Sequence, residues 1–348
     1  MPETRATGAA TYREAGVDRE IANRAKNRII ELVQSSLTRG VIKNPGGFGG
    51  LFRIPRDIPD GVLVASADGV GTKLKIAMLT GKHDTVGHDL VNHCVNDILV
   101  EGAQPLFFLD YIGMGRLETG VVEAMVEGMV AGCRENGCAL LGGETAEMPD
   151  FYAPGEYDLA GFIVGVTSET QRPGAHQVKA GDVVLGLAAN GFHTNGYTLL
   201  RRVLFDRLKL QVDHEYPGTG RTVGEELLRV HRSYLQGLLP LIRDGQIHAL
   251  AHITGGGILE NLERVVPSGL QAEIRKDAWE PPPEFVTIMK EGPVERSEMF
   301  ATFNMGIGMI AVVDHALRET VRSSLQHADH TVFEIGRIQK GNPPVVLV

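Results

Sequence analysis

The residues best suited to chemistry lie in short runs at the ends of apolar segments. Asp68-Gly69-Val70-Gly71-Thr72-Lys73 directly follows a β-branched stretch, Val62–Ala67. A carboxylate at the end of a strand can hold a divalent cation, glycines let backbone approach a ligand closely, and a lysine can meet phosphate charge. The spacing is not that of a P-loop, and a simple Asp-Gly turn with a solvated lysine is the competing reading. Asp97 lies in a helical stretch where Asn92 and Asn96, and His93 and Asp97, are each spaced i,i+4 and make one polar side. Glu144 follows Ala139–Leu141 through Gly142-Gly143. Asp68 and Glu144 both leave strands, so they are expected to converge on one sheet edge, where α/β ligand sites form. A solvated helix face plus a turn is the alternative.

The second half offers His193-Thr194-Asn195-Gly196, and also Thr254-Gly255-Gly256-Gly257, which precedes the helical Ile258–Leu262. Free N–H groups and the helix dipole make such a glycine run a plausible phosphate cradle, with an ordinary N-cap at Thr254 as the alternative. His193 could bond a ligand or transfer a proton, although a lone histidine is more often structural. A further run, Gly46-Gly47-Phe48-Gly49-Gly50, could close over a ligand.

These residues need a scaffold. Apolar residues recur every four positions from Ile21 to Leu37, as in an amphipathic helix after a polar arm over 1–15. Val62–Ala65, Leu106–Leu109, Ala139–Leu141 and Phe162–Val164 read as strands; 86–101 and Val121–Cys133 read as helices between them. The periodicity is interrupted over 167–182, which marks a boundary between 1–170 and 171–348. The second half restarts with the strand Val183–Leu185 and a long amphipathic helix near 223–243. Two α/β domains are expected.

The chain has 348 residues, 43% hydrophobic and 22% charged, with a formal net charge of −9. That balance suits a globular protein and gives no general attraction to nucleic acid or anionic lipid. Phosphate binding would therefore require local positive charge or Mg²⁺. Glycine, 43 residues, is well above average and clusters in the runs above. The three cysteines fit no zinc spacing and no disulfide framework. No apolar leader or membrane-length stretch is present, and a cytoplasmic protein is expected.

Taken in order, Asp68–Lys73, Cys94-Val95-Asn96-Asp97, Pro105–Tyr111, Gly142–Pro149, His193–Tyr197, Thr254–Gly257 and Thr302–Met309 resemble the phosphoribosylformylglycinamidine cyclo-ligases over nearly the whole chain. The resemblance implies a two-domain AIR-synthase-like α/β (α+β) fold. Strands of the N-terminal, ATP-binding domain would pair across a homodimer into a β-barrel, and the C-terminal domain would bind substrate. It implies an ATP-dependent ring closure of formylglycinamidine ribonucleotide to aminoimidazole ribonucleotide. Asp68, Asp97 and Glu144 would then hold Mg²⁺. Gly46–Gly50 and Asp68, Gly69, Gly71, Thr72 and Lys73 would bind ATP, with Lys73 neutralising phosphate. His193, Thr194, Asn195, Gly196 and Thr254–Gly257 would hold substrate, with His193 or Asp97 as the proton acceptor. Small-molecule substrates and a second copy of the chain are the expected partners. Among ATP users of the same fold, a selenophosphate synthetase would need a reactive cysteine near the first glycine loop, but none precedes Cys94. The hydrogenase maturation dehydratase, a phosphotransferase acting on thiamine phosphate and a non-enzymatic nucleotide-binding subunit are the other rivals.

Overall fold

The computed structural model describes residues 28–43 and 49–348. The arm expected over 1–15, residues 21–27 of the expected first helix, and Gly46, Gly47 and Phe48 lie outside them. A helix α1 covers 28–34, and a short antiparallel pair, β1 (Val41–Lys43) and β2 (Leu51–Phe52), follows. Then come β3 (Gly61–Gly69), α2 (Leu74–Thr80), α3 (Asp84–Leu99), β4 (Gln104–Met114), α4 (Thr119–Glu135), β5 (Ala139–Glu147) and β6 (Tyr157–Ser168). The four longer strands form one sheet in the order β3-β6-β4-β5, antiparallel except for β4 with β5.

One face of this sheet is covered by α3 and α4, which approach at backbone distance. A Cβ at Gly87 would collide with the carbonyl of Met125, and one at Gly128 with that of Asp84. Glycine at both crossing points allows this contact. Among the described residues, the other face is open: Leu63 is 60% exposed and Phe162 44%. Phe52 covers part of it, with its ring 5.3 Å from that of Phe107.

The C-terminal half holds a six-stranded sheet, in which β7 (Val183–Ala188) and β10 (Ile307–Val313) are central and β8 (Ala249–His252) is an edge. Every residue of β10 is buried, as expected of a strand covered on both faces. Met299, Met305 and Met309 are core residues.

The apolar pattern over 223–243 does not make one helix. It gives α5 (Tyr197–Arg201) a neighbour, α6 (Val223–Leu227), and then, after an irregular stretch, α7 (Leu235–Arg243). The reason is tertiary. Side chains of the N-terminal half capture the carbonyls that a continuous helix would use. Lys73 Nζ donates to Arg229 O at 2.7 Å, Asn92 Nδ2 to His231 O at 2.8 Å, and Asn96 Nδ2 to Arg232 O at 2.8 Å. Asn190 Nδ2 takes Val230 O at 2.7 Å. The polar side of α3 is therefore no solvated face: Asn92, His93 and Asn96 are buried against the second half.

Candidate functional site

β3 ends at Gly69, and the chain turns through a 3₁₀ turn, Gly71–Lys73, into α2. Gly71 has φ +62°, which a side chain would oppose, and Gly71 and Thr72 are exposed at the turn. Lys73 points the other way. Its side chain is fully buried, with Nζ 2.8 Å from Asp89 Oδ2, and it also donates to the carbonyls of His193 (3.2 Å) and Arg229 (2.7 Å). All three ammonium protons have acceptors. Burial pushes the Lys73 pKa down, although Asp89 opposes this, and burial pushes Asp89 up. The expectation that Lys73 meets phosphate is thus not met in this conformation. Its charge ties the two halves together.

Asp68, at the end of β3, and Asp97, near the end of α3, flank His93. His93 Nε2 lies 2.8 Å from Asp68 Oδ2 and 3.7 Å from Asp97 Oδ2. The other Asp68 oxygen accepts the Gly69 N–H at 2.6 Å. Asp97 Oδ1 is 2.9 Å from His252 Nδ1, and Ser66 Oγ donates to its Oδ2 at 3.3 Å. Burial opposes ionisation of Asp68, but His93 and the Gly69 amide outweigh it and hold the carboxyl below its ordinary value. Burial also disfavours the His93 imidazolium, yet Asp68, Asp97 and Asp89 hold its pKa above the ordinary histidine value.

Glu144 does not join them. In register, Asp68 pairs with Gly161, Gly161 with Asp110, and Asp110 with Gly143. Three inter-strand steps separate Asp68 from Glu144, about 14 Å at the usual strand spacing. One ion cannot bridge Asp68, Asp97 and Glu144, because Asp68 and Glu144 lie in strands at opposite edges of the sheet. Glu144 instead faces solvent near Asp110, whose pKa is raised to about 7 by burial and by the Glu144 charge.

The C-terminal half supplies the opposite wall. His193 has φ +58° and is 2% exposed; neither of its ring nitrogens has a hydrogen-bond partner. Its ring stacks on that of His231, with centroids 4.0 Å apart. Thr194 Oγ1 bridges His93 Nδ1 at 2.6 Å and His231 Nδ1 at 3.3 Å, and His231 Nε2 lies 3.1 Å from His252 Nε2. Burial pushes His193 and His231 well below the usual histidine pKa, and His252 is lowered for the same first reason. The Asn195 side chain approaches Gly255, so the two C-terminal runs meet. Asn261 Nδ2 holds the glycine run in place through the carbonyls of Gly255 (3.1 Å) and Gly257 (2.8 Å). Gly256, at φ +89°, rather than Thr254, is the residue preceding α8 (Gly257–Glu263).

Sequence reasoning named Asp68, Asp97, His193 and the 194–196 and 254–257 runs, and the structure brings these residues to one seam. Sequence reasoning missed Asp89, Arg229 and His231. No motif marks His231, and the polar side of α3 is equally open in sequence to a solvated reading.

Together these groups form a seam of buried imidazoles and part-exposed carboxylates between two sheets, flanked by glycine turns at 69–72 and 255–257. Two hard oxygen ligands suit a cation such as Mg²⁺, and neutral imidazoles beside them can accept a proton.

Residues 50–167 match the AIR synthase related protein N-terminal domain, and residues 179–348 the AIR synthase related protein C-terminal domain. The phosphoribosylformylglycinamidine cyclo-ligase of Syntrophotalea carbinolica is 48% identical over 343 residues, covering 97% of this chain and 98% of the relative. That of Alkaliphilus metalliredigens is 46% identical over 338 residues, 97% of each. A crystal structure of thiamine-monophosphate kinase from Stenotrophomonas maltophilia superimposes with a TM-score of 0.67 at 16% identity, covering 95% of this chain and 96% of that one. The hydrogenase maturation protein HypE in complex with ATP gives 0.67 at 17%, covering 93% and 91%. At those identities the structures carry the fold alone. Among the described residues, no helix is long and apolar enough to cross a membrane.

Proposed function

We propose a division of labour within the seam, from the premise that this chain belongs to the phosphoribosylformylglycinamidine cyclo-ligase family, whose members match it at 46–48% identity over nearly its full length. The chain is a ligase of purine biosynthesis, as its relatives are: formylglycinamidine ribonucleotide and ATP give aminoimidazole ribonucleotide, ADP and phosphate.

The chemistry dictates what the protein must do. An amide oxygen is a poor leaving group, so ATP phosphorylates the formyl oxygen. The substrate's amidine nitrogen then attacks the formyl carbon, the ring closes, and the C–O bond breaks to release phosphate. No protein nucleophile is required; positioning and charge neutralisation supply the catalysis. The observation that carries this reading is the pair Asp68 and Asp97, from different elements, held around one histidine at the mouth of the seam. We assign these two carboxylates to Mg²⁺, which they would hold and which would supply charge neutralisation for phosphoryl transfer. Glu144 would serve only a separate ion.

The turn Gly69–Thr72, exposed at Gly71 and Thr72, and the run Gly46–Gly50 would bind the ATP phosphates, with Lys73 positioning the turn instead of touching phosphate. Thr194, Asn195, Gly196 and Thr254–Gly257 hold the phosphoribosyl end of the substrate. His193, buried and kept neutral by its surroundings, would accept the proton from the reacting nitrogen, leaving Asp97 to the cation. In this scheme the 1–170 part binds ATP and pairs with a second copy, while 171–348 binds substrate. The pairing surface is the open face around Leu63 and Phe162.

Asp68→Asn tests the assignment. Turnover is expected to fall more than about 100-fold, with weakened Mg²⁺ binding by calorimetry and an unchanged circular dichroism spectrum. Wild-type turnover and Mg²⁺ affinity in this variant would remove Asp68 from the metal site.

A further inference from the structure

Lys73 is engaged by Asp89, so in a chain of net charge −9 the phosphates of the reaction need a source of positive charge besides Mg²⁺. Resting on the ligase reading above, we infer that Arg201, at the end of α5, is that source: a phosphate-binding guanidinium over the junction between the turn Gly71–Lys73 and α5.

The position follows from the contacts of α5. This helix packs against the turn: Thr198 Oγ1 lies 3.0 Å from Thr72 Oγ1, and Lys73 Nζ lies 5.6 Å from the centroid of the Tyr197 ring. Arg201 is i+4 from Tyr197 and i+3 from Thr198, so the three share the side of α5 that meets the turn. Side chains on a helix lean towards its N-terminus, over the residues three and four positions earlier. The Arg201 side chain is therefore directed over Tyr197 and Thr198, towards the exposed Gly71 and Thr72. The same end of α5 adjoins Thr194–Gly196, the run assigned to the phosphoribosyl substrate.

The hydrogen bonding is incomplete in the way a missing anion would leave it. Arg201 is partly buried, and its Nε is buried without a hydrogen-bond partner. Arg172, Arg221, Arg229 and Arg318 each have a carboxylate within ion-pair distance; among the described residues, Arg201 has none. Asn195 Nδ2, two residues before α5, is likewise buried without an acceptor. Buried donors left without acceptors cost free energy, and an arginine with a structural role would have a protein acceptor there. A phosphate supplies both the acceptor oxygens and the charge. The planar, permanently charged guanidinium suits it, binding through two parallel N–H bonds. Arg201 belongs to the second half and the turn to the first, so a phosphate held between them would join the two walls of the seam.

The test measures KM for ATP and for formylglycinamidine ribonucleotide, and the affinity for each by calorimetry, using the full chain and its Arg201→Ala, Arg201→Lys and Lys340→Ala variants. Arg201→Ala should weaken one of these phosphate-bearing substrates by at least about 10-fold. A loss for ATP alone would assign the guanidinium to the triphosphate, and a loss for the ribonucleotide alone to its 5′-phosphate. Arg201→Lys keeps the charge without the planar fork and should recover only part of the loss. The thermal midpoint of Arg201→Ala should match that of the wild type, since no described protein group depends on this side chain. Lys340→Ala removes the same charge from an exposed strand end beside Leu270 and should change neither affinity. Wild-type affinity for both substrates in Arg201→Ala, an equal loss in Lys340→Ala, or a loss of affinity explained by a lowered thermal midpoint would overturn the proposal. Binding is read separately from turnover. Failure of the wild type to form aminoimidazole ribonucleotide would remove the ligase reading, while calorimetry with the two substrates would still decide the role of Arg201.

Discussion

A Cβ added at Gly308 would collide with His193 Cε1 and with the Tyr234 hydroxyl. The glycine therefore sets where the His193 ring can lie, and Gly308→Ala should displace it. Displacement of a reacting group by about 1 Å can cost on the order of 100-fold in rate. Steady-state kinetics of Gly308→Ala should show such a loss in kcat with a smaller change in the KM for ATP. Lys73 makes a different demand. It is buried with Asp89, and removing one partner of a buried ion pair leaves an uncompensated charge, a loss of about 3–5 kcal/mol. Lys73→Met should lower the urea midpoint accordingly, and Asp89→Asn added to it should recover part of the loss; a directly catalytic lysine would instead leave stability unchanged. The sequence placed Lys73 beside Asp68 and so suggested a shared role. What it does not display is that a turn of 3₁₀ helix sends adjacent side chains to opposite sides.

At the scale of elements, α3 matters most. Its apolar residues pack on the first sheet, while Asn92, His93, Asn96 and Asp97 engage the second half. The i,i+4 pattern made both sides legible, but not what the polar side binds. The 223–243 periodicity predicts one helix because helix-forming side chains continue through 228–234. The break is imposed from outside, by Lys73, Asn92 and Asn96, more than 130 residues earlier in the chain. Asn96 also accepts the Tyr234 N–H at 3.1 Å. Asn96→Ala should therefore cost about 1–3 kcal/mol, measurable by urea denaturation, and should loosen His231 along with its segment.

A pH effect belongs to the neighbouring contact between α7 and the C-terminal sheet. His330 stacks on Tyr234, with centroids 5.6 Å apart, and burial lowers its pKa to about 4. In the unfolded chain it titrates near 6.5. The folded state thus binds fewer protons between those values. The stability His330 contributes is full above about pH 6.5 and is lost as pH falls towards 4. His330→Phe keeps a ring against Tyr234 and removes the titration, so its thermal midpoint should fall less than that of the wild type between pH 7 and pH 4.5.

Over the whole molecule, two sheets share a seam whose chemistry comes from both. The sequence supports the α/β class, most strands of the first sheet and the order of the motifs. Strand order in the sheet cannot be read from one chain, which is why Glu144 seemed to share an edge with Asp68. The open face of the first sheet is the other whole-molecule feature. Large apolar side chains such as Leu63 and Phe162 are exposed together there, and the proposed pairing with a second copy would cover them. Phe162→Glu should convert a dimer to monomers in analytical ultracentrifugation; a wild-type chain that sediments as a monomer would refute pairing through this face.

The ring closure itself is open to one decisive isotopic measurement. Formylglycinamidine ribonucleotide carrying ¹⁸O in its formyl group would be incubated with ATP, Mg²⁺ and the protein, and aminoimidazole ribonucleotide, ADP and phosphate would be analysed together by mass spectrometry. One ADP and one aminoimidazole ribonucleotide should form per turnover, with the ¹⁸O recovered in the phosphate. ADP formed without the cyclised product, or phosphate free of the label, would contradict activation of the formyl oxygen by ATP.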